Sequence, residues 1–109
     1  MAEAYKNNYQ DVTAAFTDTY TCPAATSAIV KTLRATNVDS AASHTVQVKV
    51  LDSDGSTEAL IAYNITIPAG ASLELCGDSL IFLEAGDKLQ ALADSTSAIE
   101  IFISALQIT

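Results

Sequence analysis

The sequence predicts an all-β protein, an antiparallel β-sandwich of jelly-roll or Ig-like type with about seven or eight strands. Three observations predict it. Apolar residues recur with period two through most of the chain, and no long period-3.6 pattern competes. Turn signals separate the apolar runs at intervals of roughly 8–12 residues, the rhythm of a sandwich or barrel. Ala, Thr, Ser, Ile, Val and Leu dominate a composition that is 50% hydrophobic but only 6% aromatic, without Trp.

The elements follow in chain order. "MAEAYKNNYQD" has no sustained periodicity, so residues 1–11 read as an N-terminal arm, flexible or ordered against a partner, and residues 12–109 as a single sandwich domain. A first strand is expected within Val12 to Cys22. "SAIVKTLRATN" places Ile29, Leu33 and Ala35 on one face and Val30, Thr32, Arg34 and Thr36 on the other, with Lys31 at the rim. "NVDSAASH" is a small-polar loop. "HTVQVKVLD" alternates most cleanly, with Val46, Val48 and Val50 inward and Gln47 and Lys49 outward. "DSDG", Asp52 to Gly55, is a hairpin tip, because Asp-Gly tolerates the positive φ of a tight turn. "LIAYNITIP" places Ile61, Tyr63, Ile65 and Ile67 inward, and Asn64 and Thr66 outward. "PAG" ends that strand. "ASLELC" pairs Leu73 with Leu75, "SLIFLE" is a short continuous run, and "DKLQALAD" aligns Leu89, Ala91 and Ala93. "CGDS" and "EAGD" mark two further corners. "AIEIFISALQIT" closes the chain.

Five basic residues against thirteen acidic ones give a net charge of −8. Such a surface repels phosphate backbones and anionic lipid, which argues against nucleic-acid and membrane partners. No apolar run approaches the ~20 residues of a membrane helix, and the polar start lacks the apolar centre of a signal peptide. The reading is a chain made in the cytoplasm and soluble there. In that reducing compartment Cys22 and Cys76 are expected as free thiols behaving as small hydrophobes.

No catalytic, cofactor-binding or metal-binding site emerges. His44 is the only histidine, it sits in no nucleophile motif, and it reads as an exposed residue at a loop-to-strand junction. "DSDG" opens like a calcium loop but lacks the third acid and the closing Glu at loop spacing. Glu74, Glu84 and Glu100 fall on separate strands and read as outward, solvated residues. Four glycines, all at β-turns, exclude a phosphate-cradling loop.

The feature that needs an explanation is the last strand. Ile99, Ile101, Ile103 and Ala105 share one parity, and Phe102, Leu106 and Ile108 share the other, which in a half-buried sheet should be wet. Each such side chain gains about 1.5–3 kcal/mol on burial, so a cover is expected. A β-bulge near "SALQ" would return Leu106 and Ile108 to the core but leave Phe102 outside. The rival cover is another subunit, with Phe102, Leu106 and Ile108 as contact candidates and Tyr5 and Tyr9 of the arm beside them.

"YTCPAATSAIVKTLRATNVDS", "ITIPAGASLELCG" and "IFLEAGDKLQALAD" resemble segments of small β-sandwich virion structural proteins of tailed bacteriophages, over about Tyr20 to Thr109. The resemblance implies a non-enzymatic structural protein of the virion, most simply a capsid decoration or cement protein that stabilises the head. It implies a homo-oligomer, a trimer before other orders, contacting the major capsid protein. Neck, tail or fibre placement is the alternative within that class. The alternative outside it is a carbohydrate-binding sandwich, for which Tyr20 and Tyr63 would have to supply the aromatic platform.

Overall fold

The computed structural model describes residues 3–76 and 80–109, so the "CGDS" corner lies largely outside the described residues. The described residues form nine strands and no helix: β1 (Glu3–Asp11), β2 (Thr17–Thr21), β3 (Ser27–Asn37), β4 (His44–Leu51), β5 (Glu58–Ile67), β6 (Ser72–Glu74), β7 (Ile81–Leu83), β8 (Lys88–Ala93) and β9 (Ile99–Ile108). They make two antiparallel sheets. One has the order β1-β9-β3-β6, with β7 also pairing β3, and the other the order β2-β8-β4-β5. Only the β4–β5 hairpin connects neighbours within one sheet. Apart from β6 and β7, which follow one another on the same sheet, the chain otherwise passes back and forth between the two layers, the wrapped order of a jelly roll. The short β6 and β7 pair with the two ends of β3.

The core lies between the sheets. Leu33, Ile99, Ile101 and Ile103 from one sheet meet Val46, Val48, Leu89 and Ala91 from the other, all essentially without solvent contact. These are the positions that alternation assigns inward, since successive strand residues point to opposite faces wherever the strand is not bulged. The turns also follow their chemistry. Gly55, Gly70 and Gly86 have φ of 79°, 72° and 86°, and Gly55 N donates to Asp52 O at 2.9 Å across the hairpin tip.

Irregular pairing corrects several assignments. A register shift between Val30 and Thr32 inserts Lys31 as an extra residue opposite β9. Val30 therefore joins Leu33 and Ala35 inside, while Ile29 turns to the outer face with Leu106 as its cross-strand partner. On β5, Asn64 adopts φ 51° and the pairing slips twice against β4. Ala62 and Ile67 then face the core, whereas Tyr63 is 63% exposed and Ile65 lies partly open on this edge strand. Leu73 is likewise partly exposed on the short β6, and only Leu75 packs on the core. The bulge considered near "SALQ" is absent from β9, which pairs with β1 in unbroken register from Glu3–Ile108 to Asp11–Glu100.

From Glu3 onward, the N-terminal segment is β1, hydrogen-bonded along β9. Its side chains are exposed at nearly every position, which is why no hydrophobic period marks it. Backbone pairing holds it, helped by Asn8, whose Nδ2 donates to Thr19 O of the other sheet.

Candidate functional site

The outer face of the β1-β9-β3 sheet carries the most exposed aromatic rings, while Leu60, Tyr63 and Ile65 are exposed on β5 of the other sheet. Register places the side chains of the β1-β9-β3 face in rows that run across the strands. One row joins Tyr9, Phe102 and Arg34; the next joins Asn7, Ser104 and Thr32; the third joins Tyr5, Leu106, Ile29 and Phe82. Strand neighbours are about 4.8 Å apart, so the third row extends for roughly 14 Å over four strands. Beyond these rows lie Asp11, Glu100 and Thr36 at one end, and Glu3 and Ile108 at the other.

The five contact candidates differ in what covers them. Leu106 is only 9% exposed and sits outside the core cluster, flanked across the strands by Tyr5 and Ile29. Phe102 is half-buried, its ring 5.3 Å from that of Tyr9. Ile108 is half-buried at the sheet end. Part of the cover is therefore β1 of the same chain. Covering these residues moves the exposure outward, to the rings of Tyr5 (69%) and Tyr9 (70%). Phe82 on β7 matches them at 70%. Sequence reading missed Phe82, although the parity of "LIFL" contains the signal: Phe82 must oppose Ile81 and Leu83.

The face also carries cations. Lys31, extruded by the bulge, holds its amine 5.1 Å from the Tyr5 ring centre, and Arg34 lies beside Phe102 in register. Among the described residues, neither makes an ion pair, whereas Lys49 and Lys88 on the other sheet pair with Glu58 and Asp18 at 2.7 and 3.1 Å. Beside the Tyr9–Phe102 pair a shallow depression of about 300 Å³ is bordered by Asp11, Thr36 and Glu100.

Glu74 is more than an outward solvated acid. Its Oε2 accepts from Leu33 N at 2.8 Å and Cys76 N at 3.2 Å, bridging the stretch of β3 between β6 and β7. His44 is not a plain exposed residue either. It is largely covered, with a carboxylate on each ring nitrogen: Asp39 at 2.8 Å and Asp94 at 2.7 Å. Asp54 of the hairpin tip is committed to its own turn, accepting from Ser56 N, Thr57 N and Thr57 Oγ1 at 2.8, 2.8 and 2.6 Å. Those bonds hold its carboxyl at about 2. Tyr20 is buried, its hydroxyl accepting from Gln107 Nε2 at 2.7 Å, so it offers no ring to a sugar. Cys22 and Cys76 are free and buried.

No protein-family model matches this sequence, and no curated protein matches it. Among solved structures, a Bacillus endospore appendage, from a family of disulfide-linked pili, is similar at a TM-score of 0.53 and 15% identity, over 99% of this chain and 87% of that one. A chain of the T13 particle of infectious bursal disease virus is similar at 0.57 and 9% identity, over 97% of this chain and 31% of that one. This chain thus spans about a third of that viral chain. A pentameric capsid protein isolated from metagenomic phage sequences aligns at 0.47 and 23% identity, over 94% of this chain and 66% of that one. The first two share the two-sheet architecture.

Proposed function

We propose that this protein is a non-enzymatic structural subunit of a virion, a capsid decoration or cement protein that acts by burying the aromatic outer face of its β1-β9-β3 sheet against sister copies and the capsid. The observation that carries this reading is that face itself: three rings about 70% exposed, on a sheet whose other surface already contributes the core. An acidic chain that leaves such a patch open gains by covering it. Each buried ring or aliphatic side chain adds about 1.5–3 kcal/mol against an association cost of several kcal/mol, so a few residues suffice for a contact that many copies repeat. Two chains that share the architecture come from repeated assemblies, a viral particle and a pilus, and this supports an assembly role. The resemblance to tailed-phage virion proteins favours the head and a trimer; a neck or tail position is the nearest alternative.

The native mass of the full chain, with and without Tyr9→Ser and Phe82→Ser, tests the reading. A wild-type oligomer is expected, with the double variant shifting toward monomer while its circular dichroism is unchanged. A wild type that stays monomeric alone and also fails to bind capsids would overturn it. A copy number that follows the capsid lattice supports decoration, whereas a count matching a single ring places the subunit in the neck or tail.

A further inference from the structure

The sandwich end that carries the β3–β4 loop is organised around one imidazole. His44 opens β4, and its side chain is 14% exposed. Its Nε2 lies 2.8 Å from Asp39 Oδ2 in the β3–β4 loop, and its Nδ1 lies 2.7 Å from Asp94 Oδ1, immediately after β8. A carboxylate only accepts hydrogen bonds, and a neutral imidazole has one N–H and one bare nitrogen. Both contacts can be attractive together only when the ring carries two protons. These two carboxylates are the charged groups that face the ring. The residue opposite it on β5 is the uncharged Ile67, and among the described residues neither acid pairs with a Lys or Arg. The bonds to Asp39 and then Asp94 raise the imidazole above its ordinary 6.5, and the bond to His44 lowers the Asp39 carboxyl.

The two arms of this bridge are unequally anchored. Asp39 is fixed three further ways: its N donates to Asn37 Oδ1 at 2.9 Å, its O accepts from Gly70 N at 3.2 Å, and its Oδ1 accepts from Ala41 N at 2.8 Å. Asp94 has a long 3.2 Å backbone bond from its N to Thr45 O, and its carboxylate bonds to His44. Loss of the ring proton leaves a lone pair pointed at one carboxylate, and the less anchored side gives way.

We propose that His44 is a proton-operated latch: protonated, it clamps the β3–β4 loop to the β8–β9 turn, and deprotonated, it keeps Asp39 and releases Asp94. The turn Asp94–Ala98 leads directly into β9; its far end is held independently by Ser97 N to Val12 O and Val38 N to Ala98 O, both at 2.9 Å, so the latch governs the first residues of the turn.

Because His44 is the only histidine, a pH titration of the full chain followed by ring and amide NMR reads it without ambiguity. The ring midpoint is expected above 6.5, and the amides of Asp94 to Ser97 should shift with that same midpoint. Asp94→Asn should lower the midpoint. A wild-type ring that titrates at or below 6.5, or turn amides that stay still while the ring titrates, would overturn the latch, and both readings come from unmutated protein.

Discussion

Tyr9 of β1 packs its ring against Phe102 of β9, centroids 5.3 Å apart and planes tilted by 43°. They are direct cross-strand partners, so the contact follows from register and not from a chance side-chain arrangement. It joins the N-terminal strand to the central strand on the face proposed for assembly.

The pair should be energetically coupled within one chain. Tyr9→Ala, Phe102→Ala and the double variant form a cycle whose interaction energy should be roughly 0.5–1.5 kcal/mol, the range for tilted aromatic pairs. Urea unfolding of dilute protein measures it. Strict additivity would show that the rings are neighbours without mutual stabilisation.

Removing residues 1–11 should damage the fold, not merely a contact. The deletion strips β1 from the whole length of β9 and takes Tyr5 from the flank of Leu106. Re-exposing Leu106 alone costs roughly 1.5–3 kcal/mol, and the freed β9 edge becomes available for pairing with other chains. The truncated chain is expected to melt several degrees lower and to aggregate. A soluble truncation with the wild-type melting temperature would mean that β1 contributes little.

How legible the protein is from sequence depends on where pairing is regular. Val46, Val48, Leu89, Ala91 and Ala93 alternate as the sequence indicates, because β4 and β8 pair with each other in unbroken register. Ile29 and Tyr63 misplace themselves because bulges depend on the partner strand, which local sequence does not contain. β1 escapes notice because polar side chains on both faces of an edge strand leave no period to detect. The aromatic face is half legible: the parity of β9 exposes Phe102, but only the register brings Tyr9, Tyr5 and Phe82 to it. The His44 bridge joins residues fifty positions apart and has no local signature.

Asn37 should be among the costliest polar residues to remove. It is fully buried at the end of β3. Its Nδ2 donates to Ala42 O and Ile67 O, both at 2.9 Å, and its Oδ1 accepts from Asp39 N at 2.9 Å. Asn37→Ala strands two carbonyls and one amide, for a loss of roughly 2–4 kcal/mol. Asn37→Asp should be worse, because a carboxylate can only confront those carbonyls. Chemical denaturation of both variants gives the order, and an Asp variant more stable than the Ala variant would refute this bonding scheme.

The glycines at two corners should respond differently to a methyl group. Both Gly55 and Gly86 have positive φ, at 79° and 86°. A Cβ on Gly55 meets nothing within 4 Å, so Gly55→Ala carries only the conformational cost of about 1–2 kcal/mol. A Cβ on Gly86 would lie 2.9 Å from Ser53 Cβ, so the loop must also move. That loop is tied by Asp87, whose Oδ1 accepts from Ser53 N at 3.0 Å and Oδ2 from Glu84 N at 2.9 Å. Gly86→Ala should therefore lower the melting temperature more than Gly55→Ala does. Equal losses would indicate that the Ser53 loop gives way freely.

The two cysteines should be silent until the protein unfolds. Cys22 is 1% exposed, with its Sγ 3.3 Å from Thr26 O, and Cys76 is 6% exposed, with its Sγ 3.9 Å from Val30 O. Burial pushes both thiols up, with Asp87 adding to the effect at Cys22 and Glu74 at Cys76, so the reactive thiolate is suppressed beyond what shielding alone achieves. A neutral maleimide added to native protein at pH 7 should label neither thiol on the timescale that labels both in denaturant. Cys22 should be the slower of the two, since Cys76 lies next to the short edge strand β6 and Cys22 in the packed corner after β2. Rapid labelling of Cys22 in native protein would mean that the corner opens locally, and that its contacts to Thr26 and Leu83 do not hold it.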